Sequence, residues 1–431
     1  MKNNPPAIFH IFRFLLILAQ PWYPLIVKRL DKSPRLSGTI PPRILRETIA
    51  PAEKPVIWLH AVSVGEVEAA LPIARRIITR LGAEHLFFTT TTKEGWEVTR
   101  KKLDGLKHLQ YYPFDFPSVV EKFVNYYHPS LYICMETELW PFMLYSLKRK
   151  GVPIILANGR VSDRLNKTPL LLKPLYRWIF SCFDWIGLQT DEDMKRLHGF
   201  SSMLENIEVV GNTKFDLPDP RGDPDSLQTL KKEFGLFDGP IIVFGSTHPG
   251  EEEIIAKAYK FWRRTIGNIT MIIAPRHIDR ASDVAGILKQ NEISFRLRTS
   301  TQPNIAPKDN VECLLLDTVG ELTKIYALGE LAFVGGSLIK RGGHNLLEPA
   351  AAGIPVLHGP YMDNFRAITI FLHNTGSAIE VKNGEELEKK VIEILSNPDE
   401  LDQMKHRARD AYESGKGATE KIMTKIMELK P

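Results

Sequence analysis

The sequence is poor in cysteine: Cys134, Cys182 and Cys313 are the three in 431 residues, and they lie far apart in apolar stretches. No two of them have the C-x-x-C spacing of zinc sites and redox motifs. This scarcity excludes a disulfide-stapled secreted domain and predicts buried thiols in a reducing compartment.

Concentrated positive charge is also missing. Lys and Arg number 56 against 51 Asp and Glu, a formal excess of +5, and no basic run is interleaved with aromatic residues. We therefore expect no nucleic-acid partner. The small basic excess does suit a protein that meets anionic lipid at a membrane surface.

Histidine spacings typical of metal sites are absent. The chain has 12 histidines, and no two of them form an H-x₃-H or H-E-x-x-H pattern, although His60, His248, His277 and His344 lie within the motifs below. This spacing predicts no metal and no other cofactor.

One long hydrophobic stretch is present, Ala7–Val27, and polar or helix-breaking residues interrupt it: Arg13, Gln20, Pro21 and Pro24. A membrane-spanning helix needs about 20 predominantly apolar residues. We expect either a single spanning anchor or a helix lying in the interface. No A-x-A cleavage site follows, which argues against a secretory signal peptide. A basic cluster comes next and places the rest of the chain on the cytoplasmic side: Lys28, Arg29, Lys32 and Arg35.

Beyond this segment the composition is that of a globular protein, with 43% apolar and 25% charged residues. Short apolar runs alternate with helical patterns, which predicts βαβ units and parallel sheets. The stretch 216–224, DLPDPRGDP, interrupts the alternation and predicts a linker between two α/β domains. Further helical patterns cover 385–395 and 401–429. The predicted strands are VIWLHA, HLFFTTT, LYICM, PIILAN and WIGLQ before the linker, and PIIVFGS, ITMIIAP, ECLLLDT, LAFVGGS and IPVLHGP after it.

The run 335–360, GGSLIKRGGHNLLEPAAAGIPVLHGP, leads from a strand through a glycine-rich turn into a helix. Bare backbone amides and a helix N-terminus suit phosphate, and the carboxylate of Glu348 suits ribose hydroxyls. Such a turn alone is a weak signal, because ordinary α/β turns also use glycine.

Ser63-Val64-Gly65-Glu66 follows the first predicted strand and opens a helix. The S-x-x-E pattern is typical of a capping box, and the local pattern alone favours that role. A carboxylate at the C-terminal end of a strand also faces the ligand crevice of an α/β sheet, where the helix dipole would keep Glu66 ionised as a base.

Other charged residues allow a structural and a functional interpretation. Glu136 and Glu138 would share one face of an extended segment, or favour the dipole of the helix after them. Lys214 and Arg276 could be solvated surface residues, or could stabilise anions. In GSTHPGEEE (245–253), we interpret the glutamates as helix-starting residues, and Ser246 or Thr247 as a donor to substrate.

Eight blocks in this order resemble the 3-deoxy-D-manno-octulosonic acid (Kdo) transferases, the lipid A glycosyltransferases of Gram-negative envelopes. The resemblance covers the chain from about Ile8 onward. The blocks are WLHAVSVGEVEAALP (58–72), METELWP (135–141), NGRVSDR (158–164), GNTKFD (211–216), FGSTHPGEEE (244–253), APRH (274–277), DTVGEL (317–322) and the run 335–360.

The resemblance implies roles for these residues. Glu66 would be the general base toward the acceptor hydroxyl, Glu136 would support the transition state, and Lys214 would stabilise developing charge. The cytidine monophosphate (CMP) of the donor CMP-Kdo would be lined by Pro275, Arg276, Val319, Gly320, Glu321, Asn345, Leu346, Leu347 and Glu348.

The resemblance also implies a glycosyltransferase fold of the GT-B type, with two Rossmann-like domains facing across a cleft. We expect a membrane-associated segment 1–35, an acceptor-binding domain 36–216 and a CMP-Kdo-binding domain 217–431 whose last helix packs back on the first domain. Expected partners are CMP-Kdo, the lipid A precursor lipid IVA and the cytoplasmic face of the inner membrane. A nucleotide-sugar epimerase shares this architecture but does not need the N-terminal segment, and a non-catalytic binder does not need Glu66, Glu136 and Lys214 together.

Overall fold

The structure is a computed structural model that describes residues 4–32, 37–47, 49–50, 56–162, 165–200, 206–216, 224–301 and 309–430. The chain divides into two compact units. The first comprises Met1–Leu217 with Gly415–Pro431, and the second comprises Pro218–Ser414. Most of the predicted linker, residues 217–223, lies outside the described residues.

The first unit contains a parallel sheet that has the strand order β3-β2-β1-β4-β5-β6-β7 in the described part of the chain. Its central strands are continuous apolar runs, as expected where helices cover both faces of a parallel sheet. The predicted strands all form, and the short edge strands β3 and β7 were not predicted. The strands are β1 (Val56–His60), β2 (Leu86–Thr90), β3 (His108–Tyr111), β4 (Pro129–Met135), β5 (Ile154–Gly159), β6 (Trp185–Leu188) and β7 (Ile207–Val209).

Helices precede and connect these strands, and buried apolar residues form two clusters, one on each side of the sheet. The helices before the first strand are α1 (Ala7–Leu18), α2 (Tyr23–Leu30) and α3 (Ile40–Arg43). Those that follow are α4 (Val64–Leu81), α5 (Lys93–Lys102), α6 (Pro117–Tyr127), α7 (Pro141–Arg149), α8 (Lys173–Ser181) and α9 (Asp191–Phe200).

The second unit contains another parallel sheet, with the order β10-β11-β9-β8-β12-β13-β14 among the described residues. The five strands predicted here form, and the edge strands β10 and β14 are additional. The strands are β8 (Ile241–Thr247), β9 (Thr270–Pro275), β10 (Phe295–Leu297), β11 (Cys313–Leu315), β12 (Leu331–Val334), β13 (Val356–His358) and β14 (Ala378–Glu380).

The helices of this unit are α10 (Pro224–Phe234), α11 (Glu251–Ile266), α12 (Ala281–Gln290), α13 (Leu322–Tyr326), α14 (Leu347–Ala351), α15 (Arg366–Asn374), α16 (Gly384–Leu395) and α17 (Pro398–Ser414). The three cysteines are free and buried, one of them in β11.

The helical pattern 401–429 breaks in two, and the last helix, α18 (Ala418–Leu429), belongs to the first unit. Two glycines make the break. Gly417 has a φ of +105°, and a Cβ at Gly415 would lie 2.2 Å from the ring of Phe215. Asp216 then caps α18, because its carboxylate accepts the backbone N–H groups of Gly417 at 2.7 Å and Thr419 at 2.6 Å.

The N-terminal hydrophobic stretch forms two short helices, α1 and α2, because Pro21 lies in a turn of 3₁₀ helix between them. None of the helices in the described part of the chain has the length and apolarity needed to cross a membrane. Phe9 holds α1 to the first unit. It is buried against Phe142, Tyr145 and Trp178, with its ring centroid 4.6 Å from that of Trp178.

Candidate functional site

The strand order of the first sheet reverses between β1 and β4, and the segments that follow these two strands carry the predicted carboxylates. Ligands of open parallel sheets bind at such switch points, outside the carboxyl ends of the strands. Glu66 lies in the first turn of α4, after β1, and Glu136 directly follows β4. The topology therefore brings the two predicted residues together.

Glu66 is held at the start of α4, but no capping box forms. Its Oε2 accepts the backbone N–H of Val62 at 2.7 Å, and its Oε1 lies 3.4 Å from the Ser63 hydroxyl. The Ser63 side chain makes no capping hydrogen bond to the helix. Burial raises the pKa of Glu66 to about 8, and the charges of Glu138 and Glu136 add to the rise. The expectation that the helix dipole keeps Glu66 ionised is therefore wrong, because burial is the larger effect.

Glu136 adopts a left-handed backbone conformation, with a φ of +53°, and its N–H donates to the carbonyl of Ala157 at 3.0 Å. The segment after β4 is thus a turn, and the expected extended face shared with Glu138 does not exist. A non-glycine residue in this conformation costs free energy that the surrounding structure must offset, and such residues cluster at functional sites. Both carboxylates are still close enough to Glu66 for their charges to raise its pKa.

Lys214 reaches the same cluster, with its Nζ 3.8 Å from Oε1 of Glu136. A Cβ built on Gly65 would lie 3.9 Å from that Nζ, so the ammonium group stands beside the first turn of α4. The structure therefore brings Glu66, Glu136 and Lys214 together, as the sequence motifs implied. Their roles remain predictions.

Asn158 positions this lysine and was not singled out as a functional residue. Its side chain is fully buried, and its Oδ1 accepts the backbone N–H of Thr213 at 3.0 Å. The Thr213 hydroxyl in turn donates to the carbonyl of Ala69 in α4 at 2.7 Å. The sequence did hold a clue to this role, because Asn158 is a polar amide within the otherwise apolar strand β5.

The second sheet has its switch point between β8 and β12, and the glycine-rich turn follows β12. The expected amides of this turn are not open to phosphate. The fully buried carboxylate of Glu251 accepts the backbone N–H groups of Gly336 at 2.8 Å and of Ser337 and Leu338 at 3.1 Å each. The prediction that these amides cradle phosphate is wrong at these three positions, because the protein supplies its own anion there.

The glutamates of the GSTHPGEEE block do start a helix, α11, as predicted. Each has a further partner: Glu251 binds the glycine-rich turn, Glu252 pairs with Arg280 at 2.8 Å, and Glu253 accepts the N–H of Gly250 at 2.9 Å. Ser246 has a φ of +56°, and the hydroxyl of the buried Thr247 has no hydrogen-bond partner among the described residues.

The residues predicted to line CMP follow neighbouring strands of the second sheet. Arg276 is exposed after β9, where Pro275 ends that strand, and its backbone N–H donates to Thr247 at 2.9 Å. Val319 is exposed beside Gly320, which has a φ of +93°.

Several of the predicted CMP residues already have protein partners. Glu321 pairs with Arg298 at 2.9 Å, and Glu348 lies 3.4 Å from the side-chain amide of Asn345. The remaining two, Leu346 and Leu347, are fully buried. Their side chains belong to the core, so these two residues could contact a nucleotide only through the backbone.

Metal ligands do not gather in the part of the chain that the structure describes: no group of three His, Cys, Asp or Glu side chains could hold an ion there. The sequence also predicts that no Asp-x-Asp pair holds a divalent ion, and two such spacings occur, 191–193 and 223–225. In the first, Asp193 is buried, and its carboxylate accepts the N–H of Val161 at 2.7 Å and the hydroxyl of Thr190 at 2.5 Å, so both of its oxygens already have protein partners. The second includes Asp223, outside the described residues.

Two parallel Rossmann-like sheets, each with charged residues at its switch point, define a glycosyltransferase fold of the GT-B type. Solved structures share this fold. A UDP-N-acetylglucosamine 2-epimerase matches with a TM-score of 0.57 and 14% identity, covering 87% of this chain and 95% of that one. A glycosyltransferase from Rickettsia africae matches with a TM-score of 0.56 and 12% identity, covering 88% and 99%.

Sequence comparison then gives the family. The family model for 3-deoxy-D-manno-octulosonic-acid transferase (kdotransferase) matches residues 39–217, and that for glycosyl transferases group 1 matches residues 304–411. A 3-deoxy-D-manno-octulosonic acid transferase of Haemophilus influenzae is 33% identical over 95% of this chain and 96% of its own length. One from Aquifex aeolicus is 34% identical over 81% and 88%. The chain belongs to the 3-deoxy-D-manno-octulosonic acid transferase family and is a glycosyltransferase.

Proposed function

We propose that this enzyme transfers Kdo from CMP-Kdo to the lipid A precursor lipid IVA, by direct displacement with inversion at the anomeric carbon. Glu66 takes the proton of the acceptor hydroxyl, the oxygen forms the new bond to the anomeric carbon, and the bond to the phosphate oxygen breaks as CMP leaves. No metal takes part. Family membership favours transfer over the epimerase and over a non-catalytic binder.

The observation that carries this proposal is the cluster of Glu66, Glu136 and Lys214. A half-buried carboxyl whose pKa is raised to about 8 is a stronger base, once ionised, than an ordinary carboxylate. Lys214 lies beside it at the same switch point, where a cation stabilises the negative charge that develops on departing phosphate or on the sugar carboxylate.

A lipid acceptor is supported by an apolar cavity that begins at Glu138, in the same segment as Glu136. Its volume is about 520 Å³. Leu170 and Leu171, in the segment that forms one wall, are 80% and 75% exposed, as expected of side chains that meet lipid. Residues lining the cavity include Leu139, Trp140, Leu165, Leu172, Ile179 and Phe180.

We also propose that the enzyme lies on the cytoplasmic face of the inner membrane, held there by α1 as an interfacial helix. One face of α1 packs on the protein through Phe9, and the opposite face exposes large apolar side chains that include Ile11, Phe14 and Leu18. The cluster Lys28, Arg29 and Lys32 follows; Arg35 lies outside the described residues. Basic residues beside an apolar helix add affinity for anionic lipid.

Mass spectrometry of lipid IVA incubated with CMP-Kdo and the protein tests the function directly. We expect the acceptor to gain the mass of one or more Kdo residues, and the number of increments counts the sugars added. The reaction should run equally well in EDTA. An unmodified acceptor would contradict the proposed substrates, and activity that EDTA abolishes and a divalent ion restores would contradict the metal-free mechanism.

A further inference from the structure

Two histidines share a hydrogen bond at the switch point of the second sheet. Nε2 of His248 lies 2.9 Å from Nε2 of His344, and the two rings are nearly coplanar, with an interplanar angle of 5°. His248 follows β8 and His344 ends the glycine-rich turn. A Cβ at Gly336, which has a φ of +67°, would lie 3.1 Å from the ring of His344 and 3.3 Å from that of His248, so a side chain there would crowd both rings.

The surroundings of this histidine pair are cationic. Arg276, Arg341 and His277 are close enough to His248 for their charges to act on it, and Glu252 is the one carboxylate that does so. Arg276 and His277 also act on His344. Glu252 itself is paired with Arg280. The three basic side chains, Arg276, Arg341 and His277, outnumber this one paired carboxylate, and the local excess of positive charge attracts an anion.

Four backbone amides beside the histidine pair are already occupied. Glu251 accepts the N–H of His248 at 3.0 Å, as well as the three amides of the glycine-rich turn. One buried carboxylate thereby fixes β8 and β12 to each other through their loops, and it holds the His248 backbone in place. These four amides are closed to an anion, so side chains must supply its contacts beside them.

We propose that His248 and His344, with Arg276 and Arg341, form the subsite for the phosphate of the cytidine nucleotide. This inference rests on the proposed donor, CMP-Kdo. The histidine pair would thus bind the phosphate that the sequence motif predicted to be bound by backbone amides of the glycine-rich turn.

The protonation state of the histidine pair couples phosphate binding to proton uptake. Burial and the neighbouring cations lower the pKa of His344 to about 4 and also lower that of His248, so the empty pair is neutral at pH 7. One Nε2–H is shared, which leaves one Nδ1–H and one Nδ1 lone pair. Uptake of one proton from solvent converts the lone pair into a second Nδ1–H without breaking the shared bond. A phosphate stabilises that charged form, so its binding is coupled to proton uptake.

Calorimetric titration with CMP and with cytidine tests the subsite, because the two ligands differ only in the phosphate. His344→Ala should weaken CMP binding about ten- to hundredfold and leave cytidine binding unchanged. Titrations in two buffers of different ionisation enthalpy should show proton uptake with CMP in the wild type. His344→Asn places a donor where Nδ1 was but takes up no proton. It should recover part of the CMP affinity without that uptake.

His373→Asn is the matched control. His373 forms a second Nε2 to Nε2 contact, at 2.7 Å, with His358, whose Nδ1 is already bound to the carbonyl of Gly359. This variant should keep the wild-type ratio of CMP to cytidine affinity. If His344→Ala weakens both ligands equally, or neither, the subsite is wrong while the donor stands. If the wild type binds neither CMP nor cytidine, the proposed donor fails as well.

Discussion

Glu66 and Glu251 occupy equivalent places, because each lies in the first turn of the helix that follows the first strand of its sheet in chain order, β1 or β8. Each accepts a backbone N–H from just before that helix, Glu66 from Val62 and Glu251 from His248. Both carboxylate oxygens of Glu251 also accept hydrogen bonds from backbone amides of the glycine-rich turn. Apart from the N–H of Val62, the Ser63 hydroxyl at 3.4 Å is the one hydrogen-bond partner of the Glu66 carboxylate in the described part of the chain, so Glu66 keeps capacity to accept a proton from substrate.

Replacing Glu66 by Gln should reduce the transfer rate by roughly 10²–10⁴ and leave CMP affinity unchanged, because the amide keeps the shape but cannot take a proton. Steady-state kinetics and CMP titration measure the two quantities. Glu68→Gln is the control, since Glu68 is on the same helix and pairs with Lys102 at 2.6 Å. Turnover near the wild-type level in Glu66→Gln would remove Glu66 from the mechanism.

The pH dependence follows from the same residue. In the proposed role of general base Glu66 must be ionised, and with a pKa of about 8 only about a tenth of it is ionised at pH 7. We expect kcat/KM to rise about tenfold per pH unit below pH 8 and to level off above it. Glu138→Gln removes a charge that raises this pKa, so the rise should move to lower pH. A profile that is flat between pH 6 and 8 would contradict the assignment.

At the residue scale, the sequence could predict the charged residues but not their partners. Glu66, Glu136 and Lys214 lie in motifs that a reader of the chain can quote, and they do meet. The role of Glu251 could not be predicted, because its partners lie 85 to 87 positions away and are backbone amides. Burial raises the pKa of Glu66, whereas the helix dipole was expected to lower it. Burial depends on the assembled fold and could not be predicted from the local sequence.

At the scale of elements, apolar runs predicted the ten central strands, and the edge strands were missed. Edge strands such as β10 and β14 have three residues each and are only partly buried, so they lack a long apolar run. The long helical pattern at the C-terminus did not show where α17 ends. Glycine is required at position 415 because the ring of Phe215, distant in the sequence, occupies the space where a side chain would lie.

The outward face of α1 allows a test of membrane association that leaves the core intact. Ile11, Phe14 and Leu18 are 60%, 60% and 54% exposed and share one face of the helix. Serine at all three should sharply reduce flotation with anionic liposomes, since each buried apolar side chain contributes about 1.5–3 kcal/mol.

The matched control for α1 replaces three exposed apolar residues of the second unit by serine: Phe261, Ile278 and Ile370. It should float like the wild type, with an unchanged melting temperature. Equal flotation of all three proteins would show that α1 does not hold the enzyme at the membrane. Deleting α1 is a poorer test, because Phe9 is part of the core.

The cap of α18 predicts a local loss of stability. Asp216→Ala removes both acceptors of the Gly417 and Thr419 amides and should cost about 0.5–2 kcal/mol in urea unfolding. Hydrogen exchange should accelerate in α18 and nowhere else. Asn383→Ala, which removes the cap of α16, is the control and should leave α18 protected. Unchanged exchange in α18 after Asp216→Ala would show that the helix does not depend on this cap.

At the scale of the whole molecule, the first unit is built from two chain segments, one before and one after the second unit in the sequence. Ile422, Met423 and Ile426 of α18 are fully buried in the cluster that also contains Ala69 and Ile73 of α4, the helix that carries Glu66. The second unit, in contrast, is one continuous stretch, Pro218–Ser414.

This arrangement fixes an order of maturation on the ribosome. The second unit has its complete sequence before α18 has been synthesised, whereas the first unit waits for residues that are translated about two hundred positions after its last strand. Domains of nascent chains usually fold from the N-terminus onward, whereas here the second unit is the first to have all of its residues available. A nascent chain can therefore complete its second unit while α4, the helix that carries Glu66, still lacks the residues of α18 that cover it, so Glu66 gains its full support only when translation is nearly finished.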